Sequence, residues 1–549
     1  MAAPIRIGDL LRDKGYIGDE HIRYALQVQR VTKEKLGTVL TRTGLVSEYD
    51  LVYTVAQQLG IEYVKLDSIQ PDFQLLKRFN RNTCLAQRVF PYGQTEEGEV
   101  IAAISDIPDP KLDQFIVRAT GMRPKYVMAE ETRVISAIYN FFYFLENPVE
   151  KLMQREVGII AADTSRTVSP DTLINYILLL AVKQRSTDVH LRPMSRGISV
   201  AFRVDGVMVN VAFLPPQLSR MTTSIKLQAG MDIAEQRLPQ DGRWTANLLE
   251  RRYDIRVSSI VTPFGENVVM RLLSQERASF SFQALGFLQE DVAILARIFD
   301  EPFGILLLTG PTGSGKSTTL VAGLTSLDLL GKNVLTVENP IEYVVPLARQ
   351  TQVNELAGYD FSNAMRHFLR HDPDVILIGE MRDQETATTA LTAATTGHLV
   401  LSTLHANTAI GSLPRLQGLG MDIQMLSESL IGVVSQRLVR IICPHCKVTY
   451  KATEEDKKYL GIDVDTLQKG EGCETCNQTG YIGRTLIYEI LVVDRDVRQA
   501  IEKDIELTQL EDMVKRKGFR SLYDIAVIKV QKGETTVEEI QRVLGKTRY

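Results

Sequence analysis

Apolar residues pair at i, i+4 near the start of the chain, at Ile22 and Leu26 and again at Leu51 and Val55. That spacing puts both members of a pair on one helical face, so residues 1 to about 66 read as short helices joined by glycine turns. Between 67 and 145 the pattern mixes strand-like segments such as "EVIAAIS" with helical ones such as "KLDQFIVRAT", which predicts a small α/β module. The stretch "ENPVEKLMQREVGIIAADTSRTVS" reads as a linker over 146–168, with a helix expected from about Pro170. Strand and turn then alternate over 187–275, in "DVHLRP", "ISVAFRVDGVMVNVAF", "YDIRVSSIV" and "NVVMRLL". From about 276 to 435 strands alternate with helices, the pattern of a parallel α/β sheet. The tail, about 436–549, holds cysteine pairs and then helical segments.

The first helices repeat. Residues 6–29 and 35–58 align without a gap and share a cation (Arg6, Lys35), a glycine two residues on (Gly8, Gly37), a second glycine (Gly15, Gly44) and a final glutamine (Gln29, Gln58). Two stacked hairpins explain the apolar spacing. They do not explain why cation, glycine and glutamine recur in register. Glycine permits close backbone approach to a ligand, and arginine both stacks and grips phosphate. Two equivalent half-sites suit a ligand with two equivalent halves.

Composition changes this picture little. The 549 residues are 44% apolar and 24% charged with a net charge of −4, so no basic field points to nucleic acid or an anionic membrane. The start "MAAPIRIGDL" lacks a secretory apolar core, and the greasiest run, "LINYILLLAV" from Leu173 to Val182, falls short of the roughly 20 residues that span a bilayer. A soluble, cytoplasmic chain is expected, touching a membrane only through a partner. Of the cysteines, Cys84 stands alone and reads as core filler. Cys443 and Cys446, then Cys473 and Cys476, form two C-x-x-C knuckles that suit a closed tetrahedral zinc site, with His445 facing solvent.

The sharpest signal is "GILLLTGPTGSGKSTTL". An apolar strand (Ile305 to Leu308) runs into Gly310, Pro311, Thr312, Gly313, Ser314, Gly315, Lys316, Ser317 and Thr318, followed by a helical stretch. This is a phosphate-binding loop in its strand–loop–helix context. Its amides and the helix start attract phosphates, Lys316 reaches the β- and γ-phosphates of ATP, and the Ser317 hydroxyl suits Mg²⁺. Three further strands end in candidate groups. "DVILIGE" delivers Glu380 toward Mg²⁺ or its water, "VLTVENPIEY" delivers Glu338 and Glu342, either able to orient the attacking water, and "HLVLSTLH" delivers His405 to sense the γ-phosphate. The C-terminal ends of parallel strands line one crevice.

These stretches, with "GPTGSGKSTTL", "TVENPIEY", "LRHDPDVILIGEMRDQETA" and "TGHLVLSTLHAN" in the positions of the Walker A, Asp, Walker B and His boxes, resemble the secretion ATPases, the motors of type IV pilus and type II secretion assembly. The resemblance covers nearly the whole chain. It implies an α/β multidomain fold. A helical plus α/β N-terminal domain (1–145) and a linker (146–168) precede a smaller PAS-like α/β domain (169–275). A RecA-like ATPase domain (276–549) follows, with a zinc subdomain at about 440–485. It also implies a Mg²⁺-dependent homo-hexamer, peripheral to the inner membrane through a platform protein, and Glu342 as the catalytic glutamate. Asn339 stands where the family usually has Asp. By the same resemblance Arg256 in "DIRVSS" and Arg271 in "VVMRLL" reach the nucleotide from the middle domain. The tetracysteine element marks assembly rather than retraction motors. The repeat resembles the cyclic di-GMP-binding N-terminal domain of the mannose-sensitive haemagglutinin pilus ATPases. Carried over, Arg6, Ile7, Gly8, Gly15 and Gln29 bind one half of the ligand and Lys35, Leu36, Gly37, Gly44 and Gln58 the other. Leu10, Leu11, Ile17, Val39, Leu40 and Val46 would pack on the bases. Lys35, in place of an arginine, weakens the second half-site. The expectation is therefore a pilus-extension ATPase under cyclic di-GMP control. The alternatives are a type II secretion ATPase, a nucleic-acid translocase, or a regulatory module with a vestigial ATPase.

Overall fold

The computed structural model describes residues 6–162, 169–274 and 280–546. The chain forms two compact units, residues 1–61 with 277–549, and residues 62–276.

In the first unit, the repeat folds as α1 (Ile7–Asp13), α2 (Asp19–Thr32), α3 (Leu36–Arg42) and α4 (Glu48–Leu59). Gly15 and Gly44 follow α1 and α3 at φ 78° and 75°, a left-handed conformation that costs other residues about 1–2 kcal/mol. Leu11, Ile17, Val39, Leu40 and Val46 are buried together, and Leu330 and Leu347 from far along the chain pack on the same cluster. That shared core attaches residues 6–61 to the later part of the chain.

Asp50 in α4 is buried, and its Oδ2 accepts from the Ser47 hydroxyl at 2.6 Å. Burial pushes its carboxyl up to about 6, against the opposing pull of the Ser47 and Ser281 hydroxyls. The folded chain therefore keeps a proton that the unfolded chain releases near 3.8. The resulting stability is full below about pH 4 and is lost as pH rises through about 6. Asp50→Asn is expected to flatten the dependence of the urea midpoint on pH across that window.

A seven-stranded sheet organises the rest of this unit, in the order Arg349–Gln352, Val334–Glu338, Val375–Ile378, Leu399–Leu404, Gly304–Thr309, Leu430–Ile442 and Tyr481–Val492. Each neighbouring pair is parallel except the last, where Tyr481–Val492 runs antiparallel to Leu430–Ile442. Every residue of Gly304–Thr309 is buried, as a central parallel strand covered on both faces must be. Leu306 and Leu308 join one apolar cluster, Ile305 and Leu307 the other, the two-residue alternation of a pleated strand.

The second unit holds a four-stranded mixed sheet in the order Glu62–Tyr63, Pro124–Met128, Val100–Ile104, Val89–Gln94. Cys84 is fully buried there. A six-stranded antiparallel sheet follows, ordered Val207–Leu214, Gly197–Val204, Ser186–Met194, Gly265–Ser274, Arg251–Thr262, Gln240–Leu248. The helix Pro170–Lys183, which contains the greasiest run of the sequence, buries Leu173, Ile177 and Leu180 against it. Among the described residues no helix is long and apolar enough to cross a membrane.

Two expectations need correction. The supposed linker is mostly the helix Val149–Ala162. Val149 and Met153, four apart, are buried in the same core as the helix Pro170–Lys183, while Glu150, Lys151, Gln154, Arg155 and Glu156 give the segment a linker's composition. Its last residues, 163–168, lie outside the described residues. The stretch read as strands and turns also contains the helix Arg220–Gln228, which buries Met221 and Ile225.

Candidate functional site

The phosphate-binding loop follows Gly304–Thr309 and leads into the helix Lys316–Thr325. Gly310, at φ 140°, admits no side chain, because a Cβ there would lie 2.4 Å from the Gln436 carbonyl oxygen. Gln436, fully buried, donates from Nε2 to the Ser314 carbonyl at 2.8 Å and braces the loop from the strand Leu430–Ile442. Sequence reasoning missed this residue, since a glutamine inside an apolar strand carries no motif. The Lys316 ammonium donates to the carbonyls of Gly310 (2.8 Å) and Pro311 (3.2 Å). Burial lowers its pKa, while the charges of Glu380 and Glu342 pull it back up. Three of the predicted groups thus share one electrostatic neighbourhood.

Two neighbouring strand ends meet. His405, just beyond Leu399–Leu404, places Nε2 3.0 Å from Glu380 Oε1, and Arg382 places a guanidinium nitrogen 2.8 Å from Glu380 Oε2. A carboxylate has about four acceptor positions, so Glu380 keeps capacity for a metal-bound water beside these two side chains. Arg382 was not singled out from sequence, although it sits within "GEMRD". Glu338 and Glu342 are distinguished by their surroundings. Glu338 Oε1 accepts from the Thr336 hydroxyl (2.7 Å) and Gln350 Nε2 (3.0 Å), and burial raises its pKa, with the Glu342 charge adding to the rise. Glu342 is exposed on the following loop. Gln350 also donates to the Tyr343 carbonyl at 2.9 Å and accepts from Val345 N–H at 2.8 Å, which ties that loop to the strand end.

In the second unit Arg271 and Arg256 stand directly opposite each other on neighbouring strands, with Arg243 opposite Arg256 on the next. Like charges in register are destabilising. Asp188, buried, offsets part of this by accepting from Arg271 Nε at 2.9 Å. Such a row of guanidinium groups suits an anion.

The repeat keeps its internal symmetry. Arg6 and Lys35 cap α1 and α3, and Gly8 and Gly37 lie one residue inside each helix. Both glycines face apolar neighbours: a Cβ would meet Leu36 Cδ2 at 3.5 Å from Gly8 and Leu51 Cδ2 at 3.2 Å from Gly37. Gln29 Nε2 donates to the Glu34 carbonyl at 2.8 Å. Leu10 is half-buried and Gln58 exposed, while Ile7 and Leu36 pack on the core that holds the other apolar motif residues.

The four paired cysteines converge, their sulfurs all within 4.8 Å of one another. Cys443 and Cys473 are 3.8 Å apart, Cys446 and Cys476 3.9 Å, Cys473 and Cys476 3.7 Å. A tetrahedron with metal–sulfur bonds of about 2.3 Å has edges of about 3.8 Å, so the cluster fits zinc. Backbone N–H groups of Gly472 and Gly480 point at Cys446 and Cys476 sulfur at 3.3 and 3.2 Å, an outer shell that favours thiolates. His445 is exposed. The strands Lys447–Lys451 and Thr466–Gly470 pair between the two knuckles.

Residues 164–542 match the family described as type II/IV secretion system protein. Residues 59–146 match the MshEN domain, beginning just after the tandem motifs. Type II secretion system protein E of Xanthomonas campestris pv. campestris is 34% identical over 568 residues, spanning 99% of this chain and 99% of its own. Type IV pilus assembly ATPase PilB of Myxococcus xanthus is 34% identical over 559 residues, spanning 97% of this chain and 98% of its own. The X-ray structure of the Legionella pneumophila ATPase DotB resembles the fold with a TM-score of 0.52 at 19% identity, over 69% of this chain and 97% of that one.

Proposed function

Because the chain belongs to the type II/IV secretion system protein family, whose members include pilus-assembly and type II secretion ATPases, we propose that it is the ATPase that drives extension of a type IV pilus, with cyclic di-GMP as its regulator. The observation that carries the motor assignment is the contact of Glu380 with His405 at two neighbouring strand ends, with Lys316 within the electrostatic reach of Glu380 and Glu342. Ser317 and Glu380 are the groups that would hold Mg²⁺, which offsets charge on the β- and γ-phosphates when bound. Lys316 grips the phosphates, Glu342 orients and deprotonates the attacking water, and His405, held by Glu380, would sense the γ-phosphate. Arg256 and Arg271 supply the cations that charge build-up in phosphoryl transfer requires. A ring of six copies acting on an inner-membrane platform protein would turn domain closure into a stroke, and zinc would hold the four cysteines.

The pilus assignment draws on the complete tandem motifs. The second reading, a type II secretion ATPase, is favoured by the full-length likeness to the Xanthomonas protein. Calorimetric titration of the full chain with cyclic di-GMP separates them. Micromolar or tighter binding, lost in both Arg6→Ala and Lys35→Ala, is expected. No heat at high ligand, with ATPase activity intact, would move the assignment to type II secretion.

A further inference from the structure

The two motif glycines that are equivalent in sequence have different surroundings. At Gly15 a Cβ would meet nothing within 4 Å, whereas at Gly44 it would come 3.2 Å from Pro346 Cδ. Pro346 lies four residues beyond Glu342, on the same loop. Beside it, Leu347 packs on the core that Leu11, Val39 and Leu40 build.

Two further bridges join the repeat to other segments of the same unit. His21 on α2 accepts the Gly18 N–H at Nδ1 (2.9 Å) and directs Nε2 at Asp328 Oδ1 (2.8 Å). With Nδ1 accepting, the ring proton sits on Nε2 and is donated to the carboxylate. The same Asp328 oxygen takes the N–H groups of Leu330 (3.2 Å) and Gly331 (3.1 Å), and Leu330 packs on the repeat's core. Asp50 on α4 faces the Ser281 hydroxyl. The neighbouring Phe280 ring meets Tyr343, one residue past Glu342, edge-on at 5.2 Å. Contacts from one small helical module thus reach the Glu342 loop directly at Pro346 and Leu347, and at one remove, through Ser281 and its neighbour Phe280, at Tyr343.

We propose that residues 6–60 restrain the Glu342 loop within the same chain, and that a ligand at the repeat competes with Pro346 for the backbone of Gly44. The proposal rests on the reading of the repeat as the cyclic di-GMP site. A glycine conserves space for something to approach its backbone closely, and at Gly44 the proline ring fills that space. A two-halved ligand can close on both half-sites only when Pro346 withdraws. Ligand binding therefore lifts the repeat from the loop, and freeing the loop by other means tightens ligand binding by the same factor.

Hydrogen exchange of the full chain, followed in the peptide covering 339–347, tests this. The paired change His21→Ala with Leu347→Ser is expected to speed exchange there several-fold without ligand, and saturating cyclic di-GMP is expected to do the same to the unmodified chain. Calorimetry is expected to show tighter cyclic di-GMP binding to the variant, by about tenfold. Asp328→Asn, a milder loss of the His21 bridge, is expected to shift both readouts in the same direction. Unchanged exchange at 339–347 in both variants, or slower exchange on adding ligand, would overturn the restraint. If neither unmodified chain nor variant binds cyclic di-GMP, the reading of the repeat fails by itself. The variants' exchange without ligand still decides whether the loop is held.

Discussion

Glutamine in place of Glu342 is expected to slow ATP turnover by about 10²–10⁴-fold while nucleotide still binds, the loss typical of a missing general base. The amide keeps the size of the side chain and removes only its ability to take a proton. Glu338→Gln is the matched control. Glu338 is half-buried and serves the hydroxyl of Thr336 and the amide of Gln350, two donors that a glutamine carbonyl accepts equally well. Turnover close to that of the unmodified chain is expected for it. Phosphate release under saturating ATP, beside titration with a fluorescent nucleotide, separates rate from binding. Equal losses in the two variants would place the base at the end of the strand instead of on the loop.

The second large effect concerns the tetracysteine cluster. Cys473→Ser is expected to abolish zinc retention and to unfold the segment between the knuckles, lowering the melting midpoint more than any single core truncation. A structural zinc site contributes about 10–16 kcal/mol in isolated fingers near neutral pH, against about 2–5 kcal/mol for truncating a buried leucine to alanine. The consequence spreads because Ala452, Leu460 and Leu467, all between the knuckles, belong to the main apolar cluster of the first unit. A chromophoric zinc probe should report one equivalent released per chain on thiol modification. No released zinc, and an unchanged melt for the serine variant, would leave the cluster as four thiols held by backbone N–H groups.

Much of this was legible in the sequence because it obeys local rules. The run Ile305–Leu308 is continuously apolar, the loop after it is dictated by backbone approach to phosphate, and both cysteine knuckles have fixed spacing. What escaped depends on distant packing. Gln436 is an ordinary polar residue until the fold sets it against Ser314. The helix Val149–Ala162 looked like a linker because its surface is charged and its apolar anchors are few. The attachment of residues 6–61 to the later chain, through Leu330 and Leu347, joins segments nearly 300 positions apart, and no periodicity records that. The arginine row was visible only as two separate residues until strand register aligned Arg271, Arg256 and Arg243.

The strand Leu430–Ile442 begins beside Gly304–Thr309, carries Gln436 against the phosphate-binding loop and runs directly into Cys443. Seven residues of extended chain make a rod of about 23 Å from Gln436 to Cys443. Its pairing with Tyr481–Val492 keeps that rod from buckling. A tilt of about 10° at the phosphate end would sweep the cysteine end through about 4 Å, less what the register irregularity between Arg440 and Ile442 absorbs. The four cysteines thus stand at the far end of a strand braced against the phosphate-binding loop, and a label placed beside them is expected to report movement of that loop.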